Sequence, residues 1–242
     1  MSTATDAVVR REPGLPVEAL VEEFERELKK PGRNRLQHPF VLAVKEGKAS
    51  KNQIAGWIHQ FMTWADPTNK LVGVMYANCP DEDLRESLLE NILEEEQGHT
   101  SKTAGHVALI YRTLEALGWD EERRKRDEAR PETWAFRHWW EVVMRNRPFV
   151  ESIAALSFTA ERLNPLIFAK ILEGLKEHYD LSEDALASIA VHASDVEVEH
   201  GSLGPTAMSR YATSEYAQRG VRFAVIHTAE QYYRSYDVWK YY

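Results

Sequence analysis

The chain has 242 residues, and its 30 Lys and Arg residues against 38 Asp and Glu residues give a formal net charge of −8. A chain this acidic is not expected to bind nucleic acid through a basic surface. Its one cysteine, Cys79, excludes an intramolecular disulfide framework and any cysteine-rich metal site. The first 13 residues lack an apolar secretory signal and no stretch is apolar enough to span a membrane, so we expect a cytoplasmic protein with no membrane partner.

Glycine and proline are sparse, with 12 and 10 residues, and runs of β-branched residues are nearly absent. This pattern favours an all-α fold. Residues 1–15 are expected to be a disordered tail, and residues 16–242 a single helical domain of about seven helices. A short turn is predicted at His38–Phe40. Helices are predicted over Val17–Lys30, from Lys51 to near Pro67, over Leu71–Asn78, from Asp81, and over His106–Leu117, Asp120–Ala129, Pro131–Asn146, Pro148–Glu161, Pro165–His178, Glu183–Glu199 and Pro205–Trp239.

The apolar stripe of the helix that begins at Asp81 leads into three consecutive glutamates, Glu94–Glu96. Residues three and four positions after Ile92 share its face, so Glu95 and Glu96 are predicted to point towards the core. Glu94 alone is equally compatible with a solvated face. A carboxylate that faces a core needs a cation or a metal, so this helix is a candidate metal-binding element.

A second cluster lies between His192 and His200. At about 100° per residue the two imidazoles can face one cavity, and Glu199 lies near the direction of His192. Imidazole together with carboxylate is a ligand set for iron, manganese or zinc. An acidic helix with two surface histidines is the alternative, but the apolar approach Ile189–Val191 favours a metal.

A third feature is Glu161, which ends the run Ile153–Ala160, a run too apolar for a surface helix. Glu161 could pair with Arg162 or cap the segment at Asn164. Its interest comes from the other two clusters, because three helices would then each offer Glu or His to one interior. Helical bundles build carboxylate-bridged two-metal sites in this way.

The order and frame of these segments resemble the haem-oxygenase-like diiron oxidases and oxygenases, relatives of pyrroloquinoline-quinone synthase and thiaminase II. The likeness spans about residues 33–240 and is carried by the segments His38–Trp57, Asn91–Glu95 with His106–Gly118, Ala160–Glu161 and Glu197–Gly201. The resemblance implies a haem-oxygenase-like bundle and two Fe(II) ions. The implied metal ligands are Glu95, His106, Glu161, His192, Glu197 and His200, of which Glu95, Glu161 and His200 would also be catalytic.

Two ligand assignments have alternatives. Glu96 and His99 form a helical pair of their own and could replace the first-helix ligands, although the spacing from His106 to Gly118 favours His106. In the last metal helix the family pattern is His-x-x-x-Asp-x-x-His, whereas the two histidines here are eight residues apart. Glu197 as ligand therefore requires a one-residue irregularity, such as a π-bulge near Ser194–Val196, and Asp195 is the alternative.

The resemblance further implies that the two irons bind and reduce O2 to attack a small metabolite, such as an amino acid, in a biosynthetic pathway. The outcome would be C–H desaturation, C–C cleavage or N-oxygenation, and His59, Phe61 and Trp64 are candidates for the pocket wall. A cofactor-less oxidase and a non-enzymatic helical binding protein are the alternatives. Thiaminase-type hydrolysis is disfavoured because its nucleophile would have to be Cys79, beside Pro80 at a helix end. The expected partners are the small substrate and O2, and a homodimer is left open.

Overall fold

The computed structural model describes residues 12–193 and 202–242, and the regular elements in these two ranges are all helical. The predicted all-α class is confirmed. In chain order the helices are α1 (Val17–Glu27), α2 (Pro39–Lys45), α3 (Lys51–Ala65), α4 (Thr68–Asn78), α5 (Glu82–Gln97), α6 (His106–Ala116), α7 (Glu121–Arg126), α8 (Pro131–Asn146), α9 (Phe149–Leu156), α10 (Asn164–His178), α11 (Glu183–His192), α12 (Leu203–Tyr211) and α13 (Glu215–Ser235). A 3-10 turn precedes α2 at Arg35–Gln37, and another follows α13 at Tyr236–Tyr241.

The helices pack around an aromatic core. Helix α11 lies against α6 and α10, while α13 packs along α8 and α9. The rings of Phe136 and Tyr232 stack with centroids 4.6 Å apart, and Trp64 packs edge-on against both. Aromatic pairs of this kind bury large areas in fixed orientations. They hold α3, α8 and α13 together on one side of the cavity described below.

Local signals in the sequence fix several helix ends as predicted. Ser50 is the N-cap of α3, where its side chain accepts from the Gln53 amide while the Gln53 side chain accepts from the Ser50 amide. This reciprocal capping box satisfies two amides that would otherwise lack partners. Gly118 follows α6 with a φ of 84°, the left-handed conformation that glycine adopts without a steric penalty.

Helices α1 and α7 end three residues before their predicted ends, at Glu27 and Arg126. Two other segments fold differently from the prediction. The segment after His38 is a helix rather than a turn, because Pro39 occupies the first helical position and the His38 side chain accepts from the Phe40 amide. The predicted helix Pro205–Trp239 is two helices and a 3-10 turn. The break after α12 is stabilised by Ser214, whose hydroxyl caps α13 by accepting from the Ala217 amide.

The helix predicted over Pro148–Glu161 changes its winding before it ends. Its last five residues, Ser157–Glu161, are π-helical, and the amide of Arg162 donates to the carbonyl of Ser157 five residues earlier. The π-bulge expected at Ser194–Val196 falls outside the described residues, whereas this one was not predicted. Because a π turn inserts an extra residue, it rotates the residues that follow, including Glu161, relative to a straight α-helix.

The end of the predicted N-terminal tail is bound to the bundle in the described part. The main-chain N–H of Gly14 donates to the carbonyl of Thr213. The side-chain amide of Gln218 accepts from the main-chain N–H of Leu15 and donates to the Leu15 carbonyl. Among the helices in the described ranges, none combines the length and the apolar character needed to cross a membrane.

Candidate metal centre

Three potential metal ligands from three helices meet in the interior. Glu95 of α5, His106 of α6 and His192 of α11 each place one ligand atom within 4.8 Å of the others. Nδ1 of His106 lies 2.9 Å from Oε2 of Glu95, and Nε2 of His192 lies 3.9 Å from Oε1 of the same carboxylate. The two imidazole centroids are 4.7 Å apart. One carboxylate therefore faces two imidazoles across a gap of the size that a metal ion occupies.

The buried face of α5 explains which glutamates point inward. Its buried positions are Leu84, Leu88, Asn91 and Glu94, so the stripe runs through Asn91 rather than through the half-buried Ile92. The prediction that Glu95 and Glu96 face inward took Ile92 as a buried position, so it places the inward-facing residues one position too late. Glu94 is buried, Glu95 lies at the edge of the stripe, and Glu96 is exposed and accepts from the Asn69 side chain at 3.1 Å.

Two glycines shape the connection between α5 and α6. Gly98 ends α5 with a φ of 59°, in the left-handed region. At Gly105, the residue before His106, a Cβ atom would lie 2.3 Å from the carbonyl oxygen of Glu96. The absence of a side chain at Gly105 lets α6 begin directly against the end of α5. His106, the first residue of α6, is thereby placed beside Glu94 and Glu95.

Glu94 is a hydrogen-bonding centre in this connection. Its side chain is about 3% exposed, and Oε2 accepts from the amides of Thr100 and Ser101 at 2.6 and 3.1 Å. Oε1 accepts from Nε2 of His106 at 3.2 Å. Burial alone would raise the pKa of Glu94, but these hydrogen bonds outweigh it and lower the pKa to about 2. Glu94 is therefore a buried, charged carboxylate.

The two nitrogens of His106 have different surroundings. Nε2 has the Glu94 carboxylate, whereas Nδ1 is buried and has no hydrogen-bond partner in the described part of the chain. Its 2.9 Å separation from Glu95 does not have hydrogen-bond geometry. Burial opposes the charged imidazolium, but Glu95 and Glu94 outweigh it and raise the pKa of His106.

His192 is oriented by the helix that carries it. Its Nδ1 lies 2.7 Å from the carbonyl oxygen of Ser188 and donates to it, which leaves Nε2 as the basic nitrogen that faces Glu95. The ring of Phe168 packs 5.1 Å from the imidazole, centroid to centroid. Burial lowers the pKa of His192, which favours the neutral form that binds metals.

Glu161 reaches the same cavity from the end of the π-helical segment. Burial, and then the nearby charge of Glu95, raise its pKa to about 8. The Arg162 side chain donates to Glu25 at 3.0 Å. The cavity measures about 80 Å³, and its polar lining beyond Glu95, His106, Glu161 and His192 consists of Thr68, Asn69, Asn91, Asn164 and Tyr232.

The donor set fits a borderline-hard transition metal. Carboxylate and imidazole ligands without thiolate suit iron, manganese or zinc. The buried Nδ1 of His106 lacks a hydrogen-bond partner among the described residues, and the partly buried Glu95 and Glu161 line the same cavity. Two neighbouring carboxylates repel each other, and a cation between them removes this repulsion. A metal ion in the cavity would give Nδ1 of His106 a partner and would balance the charge of the two carboxylates.

The other predicted metal ligands and their alternatives are not part of the described cluster. Glu197, His200 and the alternative Asp195 lie outside the described residues. His99, like Glu96, is exposed and is not part of the Glu95, His106 and His192 cluster.

Of the predicted pocket wall, Phe61 and Trp64 line the cavity. His59 does not, because it points to the carbonyl of Asp127 and packs against Trp119. Cys79 is also absent from the lining.

Several neighbours of the site were not predicted. Trp140 and Tyr232 complete the aromatic wall, and Tyr232 stacks under the guanidinium of Arg35 at 3.6 Å. Arg35 is 1% exposed and donates to the carbonyl of Thr159 and to the Asn164 side chain. No motif marks these residues, because their roles come from contacts between segments more than 100 residues apart.

Two enzymes are similar in sequence to parts of this chain. A 4-aminobenzoate synthase from Nitrosomonas europaea is 29% identical over 172 residues, which cover 66% of this chain and 67% of that protein. A pyrroloquinoline-quinone synthase from Pseudomonas aeruginosa is 35% identical over 103 residues, 42% of this chain and 40% of that enzyme. The chain thus matches less than half the length of the quinone synthase.

Solved structures show the fold over nearly the whole chain. A TenA homologue from Pseudomonas syringae pv. tomato superimposes with a TM-score of 0.77 at 15% identity, over 96% of this chain and 99% of that one. A CadD-like protein from Nostoc punctiforme gives 0.69 at 18% identity, over 94% and 99%. The model of the family described as "Iron-containing redox enzyme" matches residues 55–233, which include α5, α6, α9 and α11. The chain belongs to this haem-oxygenase-like family of iron-containing redox enzymes.

Proposed function

We propose that this chain is an O2-activating, non-haem diiron oxidoreductase that acts on a small metabolite. The observation that carries the proposal is the convergence of Glu95, His106 and His192 within 4.8 Å in the interior of a member of an iron-containing redox family. These three residues would hold one iron. The family resemblance adds Glu161, Glu197 and His200 to the ligand set, and we assign these three to the second iron; the place of Glu161 in the same cavity wall supports its inclusion.

When bound, the iron pair would supply electrons to O2 and so enable O2 to act as the oxidant that takes electrons from the substrate. The protein's own contribution is to hold anionic and neutral ligands around one cavity. Glu95 is held as a carboxylate, since His106 lowers its pKa despite burial. The carboxylates would balance the charge of the metal, and the neutral Nε2 of His192 faces the same point.

The cavity wall supports a flat, largely apolar substrate. Phe61, Trp64, Trp140 and Tyr232 line it, and the described lining contains no lysine or arginine. A substrate carboxylate would find no cationic side chain there and would have to bind the metal itself. The similarity to proteins named 4-aminobenzoate synthase agrees with an aromatic ligand. We therefore place small aromatic compounds ahead of free aliphatic amino acids as substrates.

Anaerobic titration with Fe(II), followed by metal analysis and exposure to O2, tests the proposal. We expect two irons per chain and rapid O2 consumption with a transient visible absorption. A protein that binds no iron but consumes O2 with an aromatic substrate would instead establish the cofactor-less oxidase. A protein that binds no iron and consumes no O2 with any substrate would favour a helical binding protein.

A further inference from the structure

The carboxylate of Glu94 joins the α5–α6 connection to the metal cluster. Its Oε2 accepts from the amides of Thr100 and Ser101, and its Oε1 accepts from Nε2 of His106. Glu94 lies outside the group of side chains that converge on the cavity. It therefore contacts the imidazole at the nitrogen opposite the one that faces Glu95.

A carboxylate can only accept hydrogen bonds, so the nitrogen beside Glu94 must carry a proton. The other nitrogen, Nδ1, is buried without a hydrogen-bond partner in the described ranges, and lies 2.9 Å from Glu95. Histidine binds a metal through the nitrogen that carries no proton, and the partner of the second nitrogen decides which one that is.

We propose that Glu94 is a positioning residue that keeps the proton of His106 on Nε2, so that Nδ1 is the nitrogen that binds the metal. This inference rests on the proposed function, since it assigns a role to a residue behind a proposed ligand. His192 has the opposite arrangement, with Nδ1 held by the Ser188 carbonyl and Nε2 directed to the cavity. The two histidines would therefore bind through different nitrogens.

The same carboxylate couples metal binding to the α5–α6 connection. Glu94 accepts hydrogen bonds from three donors, two main-chain amides and one imidazole, and each of these donors requires an acceptor. A glutamine of the same shape offers one oxygen and one amide nitrogen. If the oxygen faces Thr100 and Ser101, the amide nitrogen faces Nε2 and favours a proton on Nδ1, where the metal should bind. If the glutamine side chain is flipped, its amide nitrogen faces the N–H groups of Thr100 and Ser101, and these two donors then lack an acceptor. Either orientation removes one of the functions of Glu94.

The test compares wild-type protein, Glu94→Gln and the matched control Glu90→Gln, which removes an exposed charge one turn earlier on α5. Anaerobic Fe(II) and Zn(II) titrations measure the affinity of each. We expect Glu94→Gln to weaken metal binding by about 10- to 100-fold, as the loss of a carboxylate behind a metal-bound histidine does elsewhere. Glu90→Gln should bind as wild type does.

The ¹⁵N NMR spectrum of the Zn(II)-loaded wild-type protein gives a readout that a merely structural role would not change. We expect the His106 signals of a metal-bound Nδ1 and a protonated Nε2. Amide exchange at Thr100 and Ser101 should slow when metal binds to the wild-type protein. These two measurements do not depend on whether Glu94→Gln folds.

The outcomes separate this inference from the proposed function. If wild type binds metal but does so through Nε2 of His106, or if folded Glu94→Gln binds with wild-type affinity, the role of Glu94 is refuted and the metal centre stands. If wild type binds neither Fe(II) nor Zn(II), both the metal centre and the role of Glu94 are refuted.

Discussion

Arg35 donates a hydrogen bond to the main-chain carbonyl of Thr159, inside the π-helical segment that ends at Glu161. The same guanidinium stacks on Tyr232 and donates to Asn164, two residues that line the cavity. A π turn leaves carbonyls that the regular helical pattern does not satisfy. Arg35 supplies one of the missing donors, and it thereby supports the winding that turns Glu161 towards the proposed metals.

Replacement of Arg35 by lysine should therefore destabilise the protein and weaken iron binding together. Lysine keeps the charge but loses the planar fork and the stacking on Tyr232. Because a buried carbonyl then loses its partner, we expect a loss of about 1–3 kcal/mol in the free energy of unfolding of the metal-free protein, measured in urea. The control Arg26→Lys changes an exposed side chain on α1. If Arg35→Lys has wild-type stability, the π segment does not depend on the contacts of the Arg35 guanidinium.

The Glu161→Ala variant should fold but lose metal. Its carboxylate is buried beside Glu95, and its pKa is raised to about 8, so without metal the charged form is disfavoured. A carboxyl group whose charged form is disfavoured by burial contributes little to the stability of the fold, whereas loss of a metal ligand weakens metal binding. We expect the melting temperature of the metal-free variant to be equal to or higher than that of wild type, and iron affinity to fall at least about 10-fold.

The matched control for Glu161→Ala is Glu86→Ala, which removes an exposed carboxylate from α5. It should leave both the iron affinity and the melting temperature at wild-type values. Normal iron binding by Glu161→Ala would assign Glu161 a structural role and require another source for the second carboxylate.

His38 should make the stability of the fold sensitive to pH. It is fully buried, and its Nδ1 accepts from the Phe40 amide at 3.1 Å. Burial lowers its pKa to about 4, although Asp237 opposes the shift. Between pH 6.5 and pH 4 the unfolded chain binds a proton that the folded chain excludes, so stability is complete above pH 6.5 and falls as the solution is acidified towards pH 4.

The size of this loss is about 3 kcal/mol by pH 4, from the shift in pKa alone. Urea unfolding at a series of pH values measures it. His38→Asn keeps a side chain that can cap α2 and removes the titrating group, so its stability should fall less steeply with acid. His138→Asn, an exposed site on α8, is the control and should follow wild type. Equal slopes in all three proteins would contradict the assignment to His38.

Much of the fold was predictable because its signals are local. Ser50 with Gln53, Gly118 and Pro131 lie within a few residues of the helix ends they specify. Which glutamates of α5 point inward was harder to predict. Each residue turns the helix by about 100°, so a buried face that is traced through Ile92 instead of Asn91 selects glutamates one position too late. Arg35 and the π segment could not be predicted, because their contacts join distant parts of the chain.

The last prediction concerns the carboxylate of the third cluster. Helix α11 is regular up to His192, whose Nε2 faces Glu95. If that winding continued, Asp195 and Glu197 would each point about 100° away from the bisector of His192 and His200, on opposite sides. Neither would then reach the metals. One extra residue in the turn would rotate Glu197 back towards His200. The π segment that ends at Glu161 is a turn of this kind on another helix that lines the cavity.

Two alanine variants, Asp195→Ala and Glu197→Ala, distinguish the candidates when their iron content is compared. We expect Glu197→Ala to retain about half of the wild-type iron, because the ligands of the first ion, Glu95, His106 and His192, stay intact. Asp195→Ala should retain all of it. Hydrogen exchange over residues 190–200 provides an independent measurement, since binding at Glu197 and His200 should increase protection when Fe(II) is added. If Asp195→Ala loses iron and Glu197→Ala does not, the assignment is reversed. Asp195 would then be the ligand in place of Glu197.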